Sequence, residues 1–373
     1  AGVKMGELGT TTFRPPYTPL TFGTIVGRNV GEYFDTFRRT PMNDWHIENK
    51  AEFENVGQWK RAWYYPKNNE TMHDAVQRES KAARNSAGIL DASTLGKIDI
   101  QGTDASEFLN RVYTNAWSKL AIGKCRYGLM LNEDGMVYDD GVTTRLDENH
   151  YIMTTTTGGA ANVLGKLEDY LQTEWPELDV YLSSVTDHYA TASICGPNSK
   201  KILNKLIPDL DLSDEDFPHM SFKNAKINNI KCRIMRISFT GEHSYEINIQ
   251  ANYGEDLWRK CMEAGEEFNI TPYGTETMHL LRAEKGFIIV GQDTDATMTP
   301  IDLQMDWIVS KKKYDFIGKR SLYRSDTMKE DRKQLVGLLT DNPSEVLEEG
   351  AQIVANTSLK PVEMLGHVTS SYY

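Results

Sequence analysis

Residues 124–145 read KCRYGLMLNEDGMVYDDGVTTR and predict a β-hairpin. The apolar run Met130-Leu131 stops at Asp134-Gly135, and an Asp-Gly pair between two strand-like segments is among the stronger hairpin signals. On the far side of the turn, residues 136–146 alternate as a strand does. Because successive side chains of a strand point to opposite faces, the hairpin assigns every side chain of this segment to a face.

The alternation separates two neighbouring carboxylates. One predicted face carries Met136, Tyr138, Asp140, Val142 and Thr144. A carboxylate among apolar neighbours is costly to bury unless a cation or a hydrogen-bond donor meets it, so Asp140 is the candidate functional residue. Asp139 shares the other face with Arg145, where we expect an exposed pair. A bulge or a strand end at residues 139–141 is an interpretation that the pattern leaves open.

Length and composition exclude several classes of protein. The chain has 373 residues, enough for two or three domains, and its 41 Lys and Arg against 53 Asp and Glu give a net charge of -12. This charge argues against a nucleic-acid-binding protein, although a local basic pocket for an anionic ligand remains compatible with it. No run approaches the roughly 18 apolar residues of a membrane span, and no leader opens the chain, so we expect a cytoplasmic protein without membrane contact.

The cysteines and histidines do not suggest a metal site. The four cysteines are far apart and never in C-x-x-C spacing, and the eight histidines are equally scattered. We therefore expect neither a disulfide framework nor a protein-bound metal.

The two ends of the chain resemble cut points. Residues 1–20 are rich in Gly, Thr and Pro, and residues 366–373 read as a strand that leads towards a turn. We expect residues 1–30 to be a linker from an upstream region, and we expect the C-terminal part to be truncated.

An aromatic segment lies between residues 34 and 65. It carries Trp45, Trp59 and Trp63 together with Lys60 and Arg61. Aromatic and basic side chains could stack a flat heterocycle, and the alternative is an irregular cap packed over a sheet.

The rest of the chain alternates strands and helices. A strand-turn-helix plan occurs twice, at residues 97–114 and 189–206, and indicates an internal duplication. In a strand-rich stretch at 222–249, Glu246 lies on the side opposite Tyr245 and Ile247, although it could be a plain exposed residue. The tail at 332–373 reads as a small all-β domain.

Several phrases resemble the tetrahydrofolate-dependent aminomethyltransferase (glycine cleavage T-protein) family. They are, in order, RYGLMLNEDG (126–135), DD (139–140), FTGE (239–242), YE (245–246), RAEKG (282–286) and GQDTD (291–295). Two N-terminal phrases, RPPYTPLTFG (14–23) and ENVGQWKRAWYY (54–65), are more specifically similar to the C-terminal half of heterotetrameric sarcosine oxidase alpha subunits.

The resemblance implies an α+β fold of three sub-domains around a central folate pocket. Residues 31–315 would form the folate-binding domain with duplicated halves, and residues 316–373 a C-terminal β-barrel-like domain. The family's catalytic aspartate falls on Asp140, its pterin-contacting tyrosine on Tyr127 and its pterin-binding glutamate on Glu246. Phe239 stands at an aromatic position that is a tyrosine elsewhere, and Arg282 belongs to a further binding motif. An arginine of the glycine-cleavage enzymes is replaced by Met278, which favours the sarcosine branch.

The resemblance also implies a reaction. Tetrahydrofolate would capture the one-carbon unit of a sarcosine-derived imine to give 5,10-methylenetetrahydrofolate, while FAD, FMN and NAD would belong to the upstream region or to partner subunits (beta, gamma and delta). No G-x-G-x-x-G fingerprint for a dinucleotide occurs in the chain. The alternatives are a stand-alone aminomethyltransferase of glycine cleavage, a folate-dependent demethylase and a non-catalytic folate-binding module.

Overall fold

Two β-sheets with helices packed against them carry the fold. The computed structural model describes residues 36–358 and 360–373. The first sheet has the strand order β5-β6-β7-β4-β8 and is antiparallel throughout. Its strands are β4 (Gly96–Gln101), β5 (Cys125–Leu131), β6 (Val137–Asp147), β7 (His150–Thr155) and β8 (Tyr181–Ser184). Helices α3 (Ala105–Val112) and α4 (Ala160–Thr173) bury their apolar stripes against it.

The second sheet has the strand order β10-β11-β12-β9-β3-β13. Its strands are β3 (Gly88–Asp91), β9 (Tyr189–Cys195), β10 (Ser221–Ile227), β11 (Ile230–Arg236), β12 (Ser244–Gln250) and β13 (Thr271–Pro272). Helices α5 (Ser199–Leu206) and α6 (Gly254–Gly265) pack on this sheet through Ile202, Leu203 and Trp258. The predicted strand-turn-helix plan is therefore present twice, as β4-α3 in one sheet and β9-α5 in the other.

The remaining elements surround the sheets. Two helices flank the second sheet, α2 (Met72–Asn85) and α7 (Thr275–Ala283), and a short helix α1 (Asn43–Glu48) precedes a two-stranded ribbon of β1 (Glu52–Val56) and β2 (Trp59–Tyr64). Helix α2 begins at a capping box in which Thr71 and Asp74 bond each other's backbone N–H groups. None of the helices in the described ranges is long and apolar enough to cross a membrane.

The aromatic segment contributes to the core of the second sheet. Trp45 and Tyr65 are buried with Trp258, and the rings of Trp45 and Trp258 lie 5.2 Å apart. Trp45 and Tyr65 therefore pack over the second sheet, but from a helix and the end of a ribbon and not from the irregular cap of the second interpretation.

The central hairpin forms, with one irregularity. Leu129 pairs with Asp140 and Met130 with Asp139, but Leu131 pairs with Val137, so Tyr138 is an extra residue in β6. Val137 packs in the apolar cluster of Leu129, whereas Tyr138 packs with the cluster on the helix-covered face. The prediction that Tyr138 and Asp140 share a face is therefore wrong. A bulge is present, but it lies at Tyr138 and not at residues 139–141, where the pairing is regular.

The C-terminal region has little regular structure. In the described part of 332–373, the strands are β14 (Gln352–Val354) and β15 (Met364–His367), which form a two-stranded ribbon. The expected small all-β domain is reduced here to that ribbon, and a barrel is not seen in the described residues. The predicted domain boundaries remain predictions, and the linker at 1–30 lies outside the described residues.

A buried carboxylate joins three elements beside the ribbon. Glu79 on α2 is fully buried and accepts hydrogen bonds from the backbone N–H of Tyr65 (2.7 Å) and of Gly274 (3.1 Å) and from the Thr277 hydroxyl (2.6 Å). Burial raises the pKa of Glu79 to about 7 despite these donors. The carboxylate thus fixes the end of β2 and the start of α7 against α2.

We predict that Glu79→Ala lowers the free energy of unfolding by about 3 kcal/mol, because three donors lose their acceptor inside the protein. Urea unfolding at pH 6 measures the change. Lys81→Ala, on the exposed side of the same helix, should change stability by less than about 0.5 kcal/mol. Equal effects of the two substitutions would contradict this role of Glu79.

Candidate functional site

A large cleft of about 2090 Å³ opens between the two sheets, β2 and α7. Its walls include residues of both sheets, of α7 and of the segment that follows it. The lining includes Arg61, Tyr127, Asp139, Asp140, Ser193, Phe239, Glu246, Met278, His279, Arg282 and Gly291. All five residues that the sequence nominated are therefore brought to one cleft.

Asp140 and Tyr127 form a hydrogen-bonded pair in this cleft. They lie diagonally across the β5-β6 ladder, since Tyr127 pairs with Val142 and Leu129 with Asp140. The Tyr127 hydroxyl donates to Asp140 Oδ2 over 2.6 Å. The sequence alternation predicts that Asp140 and Val142 share a face of β6, and this geometry agrees with that prediction.

Asp139 is not exposed, which corrects the expectation from the sequence. Its side chain is 1% exposed and lies against the start of α4. Oδ1 accepts from the backbone N–H of Asp140 (2.7 Å) and of Thr156 (3.2 Å), and Oδ2 accepts from the Thr156 hydroxyl (3.0 Å). The expected partner Arg145 donates instead to backbone carbonyls of Leu120 and Glu148. The expectation failed because the second face of β6 is covered by helices rather than by solvent.

Burial raises the pKa values of the two adjacent carboxylates towards neutral pH. Burial raises the pKa of Asp140 to about 7, and the charge of Asp139 raises it further against the hydrogen bond from Tyr127. Burial likewise raises the pKa of Asp139 to about 6, opposed by its donors from Thr156 and Asp140. A carboxylate with a pKa near the working pH can accept and return a proton, as a general acid or base must.

Glu246 lies on β12 and is half-buried, while Tyr245 and Ile247 point to the core. Burial raises the pKa of Glu246 to about 7, and the charge of Lys97 opposes the shift. Lys97 Nζ itself donates to the carbonyls of Ser93 and Leu95, both over 3.1 Å. Glu246 is thus a carboxylate in the cleft wall with lone pairs available to a ligand.

Phe239 is partly exposed in the cleft, whereas Arg282 is buried in its wall. Phe239 is 36% exposed, and its ring centroid lies 6.3 Å from that of Phe287, so it offers an aromatic surface to the cleft. The Arg282 guanidinium is buried and donates to the Asp293 carboxylate and to the Phe287 carbonyl (3.0 Å). These bonds hold the segment after α7, so Arg282 shapes the cleft wall through its neighbours.

Sequence reasoning missed several cleft residues. Asp139 was assigned to solvent, and His279, beside Met278 in the lining, was not considered. From the sequence, Arg61 was considered only as part of a group that could stack a heterocycle. The alternation of side chains along β2 was a signal for which of them point inwards. Among the described residues, no group of three or more His, Cys, Asp and Glu side chains could hold a metal ion.

Comparisons with known proteins found similar sequences and a similar fold. Residues 42–313 match the family described as the GCVT N-terminal domain. The sarcosine oxidase subunit alpha of Corynebacterium sp. (strain P-1) is 56% identical over 370 residues, which make up 98% of this chain and 38% of that protein. The chain therefore spans about two fifths of the length of that relative.

Aminomethyltransferases are similar to this chain over most of their own length. The aminomethyltransferase of Thermoanaerobacter sp. (strain X514) is 29% identical over 343 residues, which cover 91% of this chain and 86% of that protein. The crystal structure of glycine cleavage system aminomethyltransferase T from Bartonella henselae superposes with a TM-score of 0.65 at 24% identity, covering 76% of this chain and 73% of that one. This likeness confirms the predicted α+β fold of the T-protein type.

A glycine makes room for the buried carboxylate. A Cβ added to Gly159 would lie 2.1 Å from Asp139 Oδ2, whereas one added to Gly158 would meet nothing within 4 Å. We predict that Gly159→Ala displaces Asp139 and lowers the free energy of unfolding by about 1–3 kcal/mol, while the matched change Gly158→Ala stays within about 0.5 kcal/mol. Thermal unfolding of the two variants compares them, and equal stability would show that Asp139 is not confined there.

Proposed function

Since the chain belongs to the GCVT N-terminal domain family of aminomethyltransferases, we propose that its cleft binds tetrahydrofolate and transfers to it the one-carbon unit of an oxidised methylamine. The observation that carries the proposal is the hydrogen-bonded pair of Tyr127 and Asp140 in the cleft. A module that only bound folate would not require a carboxylate that is costly to bury at this place.

The cleft fits a reduced pterin on two observations. Glu246 and Asp140 offer carboxylate oxygens to the N–H groups of a pterin ring, and Phe239 offers an aromatic face. The hydroxyl of Ser238, which also lines the cleft, is buried without a hydrogen-bond partner among the described residues. Such an unpaired buried group is suited to a polar ligand.

The residues of the cleft have separate roles in the proposed reaction. A bound folate would supply two nucleophilic nitrogens. The first would bond to the methylene carbon of the iminium as the carbon-nitrogen double bond becomes a single bond, and the second would bond to the same carbon as the reprotonated amine leaves. Asp140 stabilises the cationic carbon-nitrogen group and accepts the proton that the folate nitrogen loses. Tyr127 fixes the Asp140 carboxylate through Oδ2, and Glu246 orients the ring. The product is 5,10-methylenetetrahydrofolate.

The similarity to sarcosine oxidase alpha subunits supports sarcosine as the amine, oxidised at a flavin outside this chain. We propose that FAD, FMN and NAD belong to other regions or subunits, that beta, gamma and delta subunits are the partners, and that the complex is cytoplasmic.

We predict that Asp140→Asn lowers methylenetetrahydrofolate formation by the complete enzyme about 10²-fold or more, with flavin reduction by the amine largely spared. Asn keeps the shape but cannot accept the proton. In the wild type, the carboxylate form of Asp140 accumulates as pH rises through its pKa of about 7, so the rate should increase from pH 6 to pH 8 and then level off.

The control is Asp209→Asn, an exposed aspartate that should retain the wild-type rate and pH profile. A full rate in Asp140→Asn, or a rate that falls as pH rises from 6 to 8, would contradict the assignment of Asp140 as the proton acceptor.

A second prediction concerns ring recognition by Glu246. Glu246→Gln removes one charge-assisted hydrogen bond and should weaken tetrahydrofolate binding by about 1.5–3 kcal/mol, measured by calorimetric titration at pH 8. Glu215→Gln, an exposed counterpart, should leave the affinity unchanged. An unaltered affinity in Glu246→Gln would remove Glu246 from the site.

A further inference from the structure

Arg61 is a buried cation in the wall of the cleft. It lies on β2, directly opposite Glu54 on β1, and both side chains line the cleft. Arg61 is 8% exposed as a residue. Glu79 accepts a hydrogen bond from the backbone N–H of Tyr65, directly after β2, and so fixes the end of the strand that carries Arg61.

The guanidinium of Arg61 has no direct partner within the described part of the chain. Its Nε is buried without a hydrogen bond, and no carboxylate of the described residues lies within the 4 Å of an ion pair. Glu54 accepts the Thr275 hydroxyl instead. Asp91, the other nearby carboxylate, accepts from Ser93 N–H (2.9 Å) and lies 3.1 Å from His46 Nε2. Burying a guanidinium without hydrogen bonds is costly, so its donors are suited to a ligand.

His279 on α7 lies within electrostatic range of both Arg61 and Arg282. Burial and then the charges of Arg282 and Arg61 lower the pKa of His279 to about 4, so that this cleft residue is neutral near pH 7. Lys97 also lies within electrostatic range of Arg61. The negative charges of Glu54 and Asp91, which are hydrogen-bonded to other groups, also act on Arg61. The carboxylates Asp139 and Asp140 come from β6, so the cleft has acidic and basic parts.

We propose that Arg61 binds a carboxylate group of the ligand in this cleft. The inference rests on the proposed function, and two parts of that reaction carry a carboxylate: the glutamate of the folate and the amino acid from which the one-carbon unit comes. A guanidinium presents parallel N–H groups that match the two oxygens of a carboxylate, which a lysine at this place could not reproduce.

Calorimetric titration of the full-length protein compares two folates. Tetrahydropteroate has the ring system of tetrahydrofolate without its glutamate. If Arg61 holds the glutamate, Arg61→Met weakens tetrahydrofolate about ten- to a hundred-fold and leaves tetrahydropteroate unchanged. If Arg61 holds the amino acid, both folates keep their affinity, and the fraction of one-carbon units recovered on folate rather than as formaldehyde falls about tenfold. Arg61→Lys should restore little of either loss.

The control Arg320→Met changes an exposed arginine and should leave every readout unchanged. The proposal is overturned if Arg61→Met changes neither folate affinity nor one-carbon recovery, or if it weakens both folates equally, which is the result of a general disturbance of the cleft.

A third probe separates this proposal from the proposed function. Trifluoroacetate is a simple carboxylate whose fluorine resonance broadens when it binds, and Arg61→Met should abolish the broadening seen with the wild type. If neither folate binds to the wild type, the proposed function fails, and Arg61-dependent broadening still supports a carboxylate site. The proposal that Arg61 binds a carboxylate is overturned if the broadening is the same in the wild type and in Arg61→Met.

Discussion

The burial of two adjacent carboxylates on one strand is the constraint on which the cleft depends. Asp139 is enclosed by backbone and hydroxyl donors at the start of α4, and Asp140 faces the cleft beside the Tyr127 hydroxyl. The bulge at Tyr138 changes the phase of β6 immediately before this pair. The charge of Asp139 adds to burial in raising the pKa of Asp140 to about 7, so Asp140 can hold a proton near neutral pH.

This arrangement costs stability, and other contacts offset the cost. The folded pKa of Asp140, about 7, is above the ordinary value near 4. The folded state therefore binds more protons than the unfolded chain between about pH 4 and pH 7, and the contribution of this group to stability falls as pH rises through that window. A group retained at such a cost is the kind that catalytic sites contain. The capping box of α2, the Glu79 hydrogen bonds and the apolar clusters of the two sheets supply compensating stability.

Much of the fold was readable from local patterns. The hairpin at Asp134-Gly135 and the repeated strand-turn-helix plan depend on near neighbours in sequence, and they form as predicted. The alternation from Asp140 to Thr144 predicts that Asp140 and Val142 share a face, and both residues line the cleft. These features follow from turn geometry, capping and the period of a strand, all of which are local.

The errors have a common physical origin in tertiary packing. Strand alternation separates Asp139 from Asp140 but does not say whether the second face meets water or helices, and here α4 covers it. Likewise the partners of Arg282 are Asp293 and the Phe287 carbonyl, whose approach depends on how the chain turns after α7. Arg61 and Glu54 lie opposite each other across the ribbon, yet among the described residues Glu54 accepts the Thr275 hydroxyl and makes no bond to Arg61. Such competition between partners is decided only in the folded chain.

The central claim is that Asp140 meets the reacting nitrogen of a bound folate. A crystal structure of the protein soaked with tetrahydrofolate tests it most directly. The account predicts the pterin ring between Tyr127 and Glu246, with a ring nitrogen within about 3 Å of an Asp140 carboxylate oxygen. A pterin bound elsewhere, or one in this cleft with its reacting nitrogen turned away from Asp140, would contradict it.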